Sequence, residues 1–375
     1  MPDTHTIFLT LRVFSAKGGI EKVCCLVGKA LQEFSTASTN RNVKILSLYD
    51  TPGDLNNLYF PAAIFSGFGK QRSKFLWQAL KEGRKSRVVI LSHVNLLVIG
   101  FLIRCIAPKT KLVLITHGIE VWYKFPLWKK LMLQQVDKVL PVSEFTKRKM
   151  MELHQLPEEK FTVFNNCLDP FLPLPLSTKK PVQLLHRYNL TTDDIVLLTL
   201  TRINSKERYK GYDQVMQAVH DLKTAYPTIK YLIVGKYDAA EKNRIETIIN
   251  RLHLKNQVIL SGFIPDEELA EHFALADIYC MPSRKEGFDI VFIEAMFYGK
   301  PVIAGNMDGS VDALKNGVFG LLVNPVDQQQ ITDGIKEVIC NKEKYIPRQQ
   351  QVMAHFSFEV YKEKLSKIME EIDTA

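Results

Sequence analysis

Short apolar runs return along this 375-residue chain at near-regular intervals, and each is followed by a stretch with helical period. Strands are expected at 7–11, 43–48, 88–91, 112–116, 138–141 and 161–164. A second series is expected at 195–201, 231–234, 258–260, 278–281, 302–304 and 321–323. Strand alternating with helix at this spacing restricts the chain to the α/β class, with two parallel sheets covered by helices on both faces. Between the two series, residues 169–175 read Asp-Pro-Phe-Leu-Pro-Leu-Pro. So many prolines cannot continue either sheet, and the segment is expected to be the linker between residues 1–172 and 173–357. A last helix is expected at 358–373.

Hydrophobic residues are 46% and charged residues 24% of the chain, the balance of a soluble globular protein. The most apolar segment, 88–107, contains Ser92, His93, Asn95 and Arg104 and is expected to be a buried strand and helix rather than a membrane span. Residues 1–15 lack the basic head of a secretory signal, so a cytoplasmic location is expected. The six cysteines, at 24, 25, 105, 167, 280 and 340, show no metal-ligand spacing and are read as reduced core residues.

The net charge of +9 is unevenly spread, with +11 over residues 1–175 and −2 over 176–375. The excess lies among aromatic residues. One cluster runs from Lys70 to Arg87 around Trp77, and another includes Trp122, Lys124, Trp128, Lys129 and Lys130. Interleaved basic and aromatic residues suit an anionic surface. The expectation is peripheral attachment to the inner face of a membrane, with no nucleic-acid partner; solvated helix faces are the competing explanation.

Residues 277–312 carry the chemistry. They read as strand, loop, helix and strand, with the helix closed by Gly299 and Pro301. The first amides of that helix, around Gly287, Phe288, Asp289 and Ile290, have no intrahelical partner and attract phosphate. Glu286 at its lip and Glu294 two turns on are placed to accept hydrogen bonds from sugar hydroxyls. Ligands of parallel sheets bind beyond the strand carboxyl ends, so residues there are candidates too. In the first half these are Gly18 and Gly19, donor-binding candidates that let backbone approach a ligand, and His117, a catalytic candidate placed to contact a sugar or acceptor. In the second they are Arg202 and Lys210, which can neutralise phosphates, with Gly235, Gly262 and Phe263, where a planar base has room.

Together these residues resemble the family 4 retaining glycosyltransferases with the GT-B fold, of the kind that builds bacterial surface polysaccharides and glycolipids. Glu286-Gly287-Phe288 with Glu294 is similar to that family's pair of glutamates separated by seven residues. Arg202 with Lys210-Gly211 resembles its phosphate-binding pair, Gly18-Gly19-Ile20-Glu21 its amino-terminal glycine loop, and Val142-Ser143 and Asn166-Cys167-Leu168-Asp169 its signposts before the linker. The resemblance implies two Rossmann-like domains facing each other across a crevice, the first binding acceptor and the second the nucleotide sugar. Residues 358–375 would return to the first. It also implies that Arg202 and Lys210 neutralise the leaving diphosphate, that Glu294 holds the ribose and that Glu286 contacts the transferred sugar. The chain departs from the pattern at Asp289, where the family often has Gly, at Asp308-Gly309 for two glycines, at Asp312 for Glu, and at Asn166-Cys167 for Asn-Gly. Asp289 is therefore expected to turn away from the phosphates, toward a sugar hydroxyl.

The expected reaction moves a hexose from a nucleotide diphosphate sugar, GDP-mannose or a UDP-hexose, to a saccharide or lipid-linked acceptor with retention. The nucleotide sugar is a co-substrate, and no metal or other cofactor is expected, since the chain has no Asp-x-Asp pair. A nucleotide-sugar epimerase of the same fold is the alternative. A dinucleotide-dependent oxidoreductase is disfavoured because Gly18-Gly19 lacks the Gly-x-Gly-x-x-Gly spacing. A non-catalytic binding protein would be expected to have lost part of the charged set, which is complete here.

Overall fold

The computed structural model describes residues 4–37, 41–174 and 179–374. Six strands form the first sheet: β1 (Thr4–Thr10), β2 (Arg41–Ser47), β3 (Phe65–Gly67), β4 (Val88–Leu91), β5 (Lys111–Thr116) and β6 (Lys138–Pro141). Six more form the second: β7 (Ile195–Leu200), β8 (Ile229–Val234), β9 (Val258–Gly262), β10 (Ile278–Met281), β11 (Val302–Gly305) and β12 (Leu321–Val323). The spatial orders are β3-β2-β1-β4-β5-β6 and β12-β11-β10-β7-β8-β9, with parallel neighbours in both. Counted from its own first strand, each sheet has the order 3-2-1-4-5-6, the doubly wound arrangement. The order reverses between β1 and β4 in one sheet and between β7 and β10 in the other. Strands buried on both faces must be apolar throughout, and Val88–Leu91, Ile278–Met281 and Val302–Gly305 are buried along their whole length.

The chain divides into two compact units, Met1–Asp169 with Ser357–Ala375, and Pro170–Phe356. The division thus falls three residues before the expected one, and Pro175 and Ala375 lie outside the described residues. In the first unit, helix α1 (Gly19–Thr36) packs against the closing helix Phe358–Thr374. Tyr361 stacks on Phe164 at 4.1 Å, and Lys362 donates to Glu33 at 2.9 Å. Three more helices lie on this sheet: α2 (Arg72–Gly83), α3 (Leu97–Ile106) and α4 (Leu127–Gln134).

Three expectations need correction, and one strand was not expected. Residues 161–164 form no strand; Phe161 makes a single bridge to Val139, and the Thr162 and Phe164 amides donate to β6 at 3.0 and 2.8 Å. The edge strand β3, Phe-Ser-Gly, has one apolar side chain and leaves no signal. Cys105 and Cys340 are exposed rather than buried. The segment 88–107 is buried as far as β4, but α3 shows Val98, Leu102 and Ile106 to solvent.

Candidate active site

Two loops meet at the switch point of the second sheet. The loop after β10 enters the helix Ile290–Phe297, and the loop after β7 ends at Lys210 and Gly211. Lys210 Nζ lies 2.5 Å from Glu286 and 3.7 Å from Asp289, and all three side chains are largely buried. Burial opposes the charge on Lys210, but Glu286 and Asp289 outweigh it and hold the ammonium protonated. One ammonium cannot satisfy every nearby carboxylate. Burial, relieved by Lys210 and reinforced by Asp289 and Asp308, pushes Glu286 up to about 8.

The β10 loop is held from several sides. Asp308, buried, accepts from the Glu286 amide at 2.7 Å, the Ser283 hydroxyl at 2.8 Å and the Ser310 amide at 2.9 Å. Backbone carbonyls of the loop press so closely on Gly211, Gly305 and Gly309 that a β-carbon would meet them at 2.4, 2.0 and 2.0 Å respectively. A side chain at any of these positions would displace the loop.

Asp289 begins the helix with φ at +59° and accepts from the Val291 amide at 3.1 Å. Its carboxylate therefore does not turn away from the anion-binding end, as the sequence suggests, but occupies one of the helix amides and faces Lys210. Phe288 is buried against Phe356, at 5.9 Å between ring centroids, so only its backbone is available to a ligand. Gly287 and Ile290 follow the same course, Ile290 with its side chain in the core. Glu294 is buried one turn into the helix.

Arg202 stands apart from this group. It is 71% exposed and pairs with Glu207 at 3.0 Å. Its loop is fixed from behind by Asp238, which accepts from the Ser205 amide at 3.1 Å, and by fully buried Glu241. Glu241 accepts from Arg208 at 3.2 Å, Tyr212 at 2.7 Å and Arg244 at 2.6 Å. Gly235 has φ at +147° and a β-carbon there would sit 1.7 Å from the Thr201 carbonyl, so its glycine is required by the fold itself. Gly262 has φ at +77°, and the neighbouring Phe263 is exposed.

In the first unit, Gly18 precedes α1, and a β-carbon on Gly19 would meet nothing within 4 Å. No protein contact demands glycine at 19. The approach to this loop is fixed by Asp50, which the sequence did not single out. Its fully buried carboxylate accepts from the amides of Val13 at 2.7 Å, Phe14 at 3.0 Å and Ser15 at 2.6 Å, and from the Ser47 hydroxyl. An acid directly beyond a strand end was the available signal. His117 follows β5, its Nε2 is 2.7 Å from the Ser92 carbonyl beyond β4, and Glu120 accepts from its amide. His93, beside them, is lowered to about 4, mainly by burial, against the opposing pull of Glu120. Among the described residues, no group of three or more His, Cys, Asp or Glu is placed to hold a metal ion.

Two family profiles match the chain. Residues 18–170 match Glycosyltransferase Family 4, and residues 185–351 match Glycosyl transferases group 1. The chain belongs to the family 4 glycosyltransferases. A GDP-mannose-dependent alpha-(1-6)-phosphatidylinositol monomannoside mannosyltransferase of Mycolicibacterium smegmatis is 28% identical over 63% of this glycosyltransferase and 62% of its own length. D-inositol 3-phosphate glycosyltransferase of Thermobispora bispora is 26% identical over 54% of this chain and 48% of its own. The chain thus spans about half to three-fifths of the length of the curated relatives it matches. The fold matches GT-B structures. Anabaena HepE in complex with UDP superposes with a TM-score of 0.79 at 19% identity, over 98% of this chain and 100% of that one. Sucrose-phosphate synthase of Thermosynechococcus elongatus gives 0.78 at 19%, over 99% of both.

Proposed function

We propose that this glycosyltransferase moves a hexose from a nucleoside diphosphate sugar to a saccharide or lipid-linked acceptor with retention of anomeric configuration. The setting would be cell-surface polysaccharide or glycolipid synthesis at the cytoplasmic face of a membrane. The observation that carries the reading is the buried Lys210–Glu286–Asp289 group at the switch point of the second sheet, beside a helix amino terminus. The donor's diphosphate takes Lys210 as its counter-ion, and Glu286, released from that ion pair, accepts a hydrogen bond from the transferred sugar. Glu294 holds the ribose. As the anomeric bond breaks, charge gathers on the departing diphosphate, where Lys210, Arg202 and the helix amides stabilise it. The first unit receives the acceptor, and Gly18, Gly19 and His117 are its candidate ligand contacts.

GDP-mannose and UDP-hexoses are the favoured donors, in keeping with the mannosyltransferase named above and with the UDP seen in HepE. Both matching family profiles describe glycosyltransferases, so the epimerase alternative is set aside. No metal is assigned to the reaction. Incubation with a panel of nucleotide sugars and saccharide or lipid-linked acceptors, with and without EDTA, tests the reading. The expected result is EDTA-insensitive release of nucleoside diphosphate with an acceptor product of the donor's anomeric configuration. Transfer lost with EDTA and restored by Mn²⁺ or Mg²⁺ would sink the metal-free part, and an inverted product would sink retention.

A further inference from the structure

The helices α2, α3 and α4 form one layer on the first sheet, with α3 packed between the other two. The parallel crossovers through α3 and α4 place both helices on the same face of the sheet. A central helix in such a layer ordinarily turns charged residues to water. The outer face of α3 instead carries Val98, Leu102 and Ile106, at helical spacing, and α4 beside it carries Leu127, Trp128 and Leu131. All six are exposed, Leu127 by 73% and Trp128 by 54%. Exposed apolar side chains gathered on adjacent helices mark a contact surface rather than scattered surface residues.

Charge around this patch is mainly positive; Asp137, just beyond α4, is ion-paired with Arg104 of α3. Residues 70–136 contain 13 Lys and Arg but only two acids, Glu82 and Glu120. Glu82 is buried, ion-paired with Lys44 and in contact with His5, and Glu120 is engaged with the His117 amide. Lys81, beside exposed Trp77 at 5.0 Å, and Lys124 lie on the flanking segments. Lys129, which the sequence placed in the basic cluster, is buried with its Nζ 4.4 Å from the centre of the Phe125 ring and contributes nothing to the surface.

We propose that this layer seats the protein on an anionic lipid bilayer, the apolar residues of α3 and α4 entering the headgroup boundary and the flanking lysines meeting lipid phosphates. An apolar centre with basic rims matches the layered chemistry of a bilayer surface. No helix among the described residues is long and apolar enough to cross a membrane, so the attachment lies along the surface. The inference deepens the proposal of a membrane-side acceptor. Its test reads binding, not transfer, so each can fail without the other.

The test is co-sedimentation with phosphatidylglycerol and phosphatidylcholine vesicles at low and high salt. One variant carries Leu102→Ser, Leu127→Ser and Leu131→Ser, and another Lys81→Glu, Lys85→Glu and Lys124→Glu. Wild type should pellet with phosphatidylglycerol at low salt and retain part of that binding at high salt, because screening weakens only the ionic contribution. The apolar variant should lose the salt-resistant part, with at least about tenfold weaker binding, and the charge variant should lose the preference for anionic lipid. Brominated phosphatidylglycerol should quench wild-type tryptophan fluorescence, and Trp128→Phe should remove most of that quenching, a readout that needs no destabilising change. Wild type left in the supernatant, an apolar variant that pellets like wild type, or quenching unchanged in Trp128→Phe would overturn the proposal. So would light scattering that finds a wild-type dimer split by the apolar substitutions, since the face would then belong to a second copy of the chain.

Discussion

In the proposed donor site the balance of charge centres on Lys210. Glu286 and Asp289 face a single ammonium, with the Tyr209 hydroxyl also near it, while Asp308 acts on Glu286. Replacing Lys210 by Ala should leave these acids uncompensated and slow transfer roughly a hundredfold, about 3 kcal/mol. Steady-state kinetics within about twofold of wild type would reassign Lys210 to a structural role. Arg202→Ala should cost less, because the exposed guanidinium already divides its interaction with Glu207 and water.

The pH dependence follows from the same group. In the proposed mechanism Glu286 accepts a sugar hydroxyl most strongly as a carboxylate, and its carboxyl is raised to about 8 in the free protein. The value of kcat/KM reports the free enzyme, so it should rise with pH toward 8 and level off above. Glu286→Gln should lose this limb. Asp308→Asn removes one of the repelling carboxylates and should move the limb to lower pH. A limb unchanged in both variants would remove Glu286 from the sugar site. The sequence showed the two glutamates and Lys210 through their spacing. It did not show that Lys210 and Glu286 are paired, because 75 residues of chain separate groups that meet only when β7 and β10 lie side by side.

Among the elements, the loops at the strand ends respond to substitution in two distinct ways. A β-carbon on Gly309 would sit 2.0 Å from the Gly287 carbonyl, so Gly309→Ala should displace the β10 loop and lower both melting temperature and nucleotide affinity. A β-carbon on Gly19 would meet open space, so Gly19→Ala should melt like wild type and impair only transfer. Thermal melting beside activity separates the two, and a normal melting temperature with normal activity for Gly19→Ala would free that loop of any ligand. Asp50→Ala should strand three backbone amides and destabilise the first unit by on the order of 3 kcal/mol, measured by urea unfolding. The strands that proved legible are the ones made of consecutive apolar residues, down to the three of Leu321–Val323. Phe65–Gly67 has a single apolar side chain among Phe, Ser and Gly, and 161–164 has an apolar pattern but only one bridge to β6. The helix α3 was misjudged because hydrophobicity records which side chains avoid water, not whether protein or another apolar surface covers them.

For the whole molecule, both parallel sheets and the linker region were legible because strand–helix alternation is a property of the full chain. The division itself came three residues early, where Asp169 remains bonded to Tyr59 at 2.6 Å and so stays with the first unit. The uneven charge was equally plain, though which lysines reach the surface depended on packing, as buried Lys129 shows. The proposed function rests above all on a nucleoside diphosphate held by the second unit through Lys210 and the β10 loop. Its most direct test is the melting temperature of wild type and Lys210→Ala with GDP, UDP and their sugars, since a ligand that binds only the folded state raises it. Wild type should show a rise with one of these nucleotides and its sugar, and Lys210→Ala a much smaller one. No rise with any of them, or an equal rise in both proteins, would contradict it.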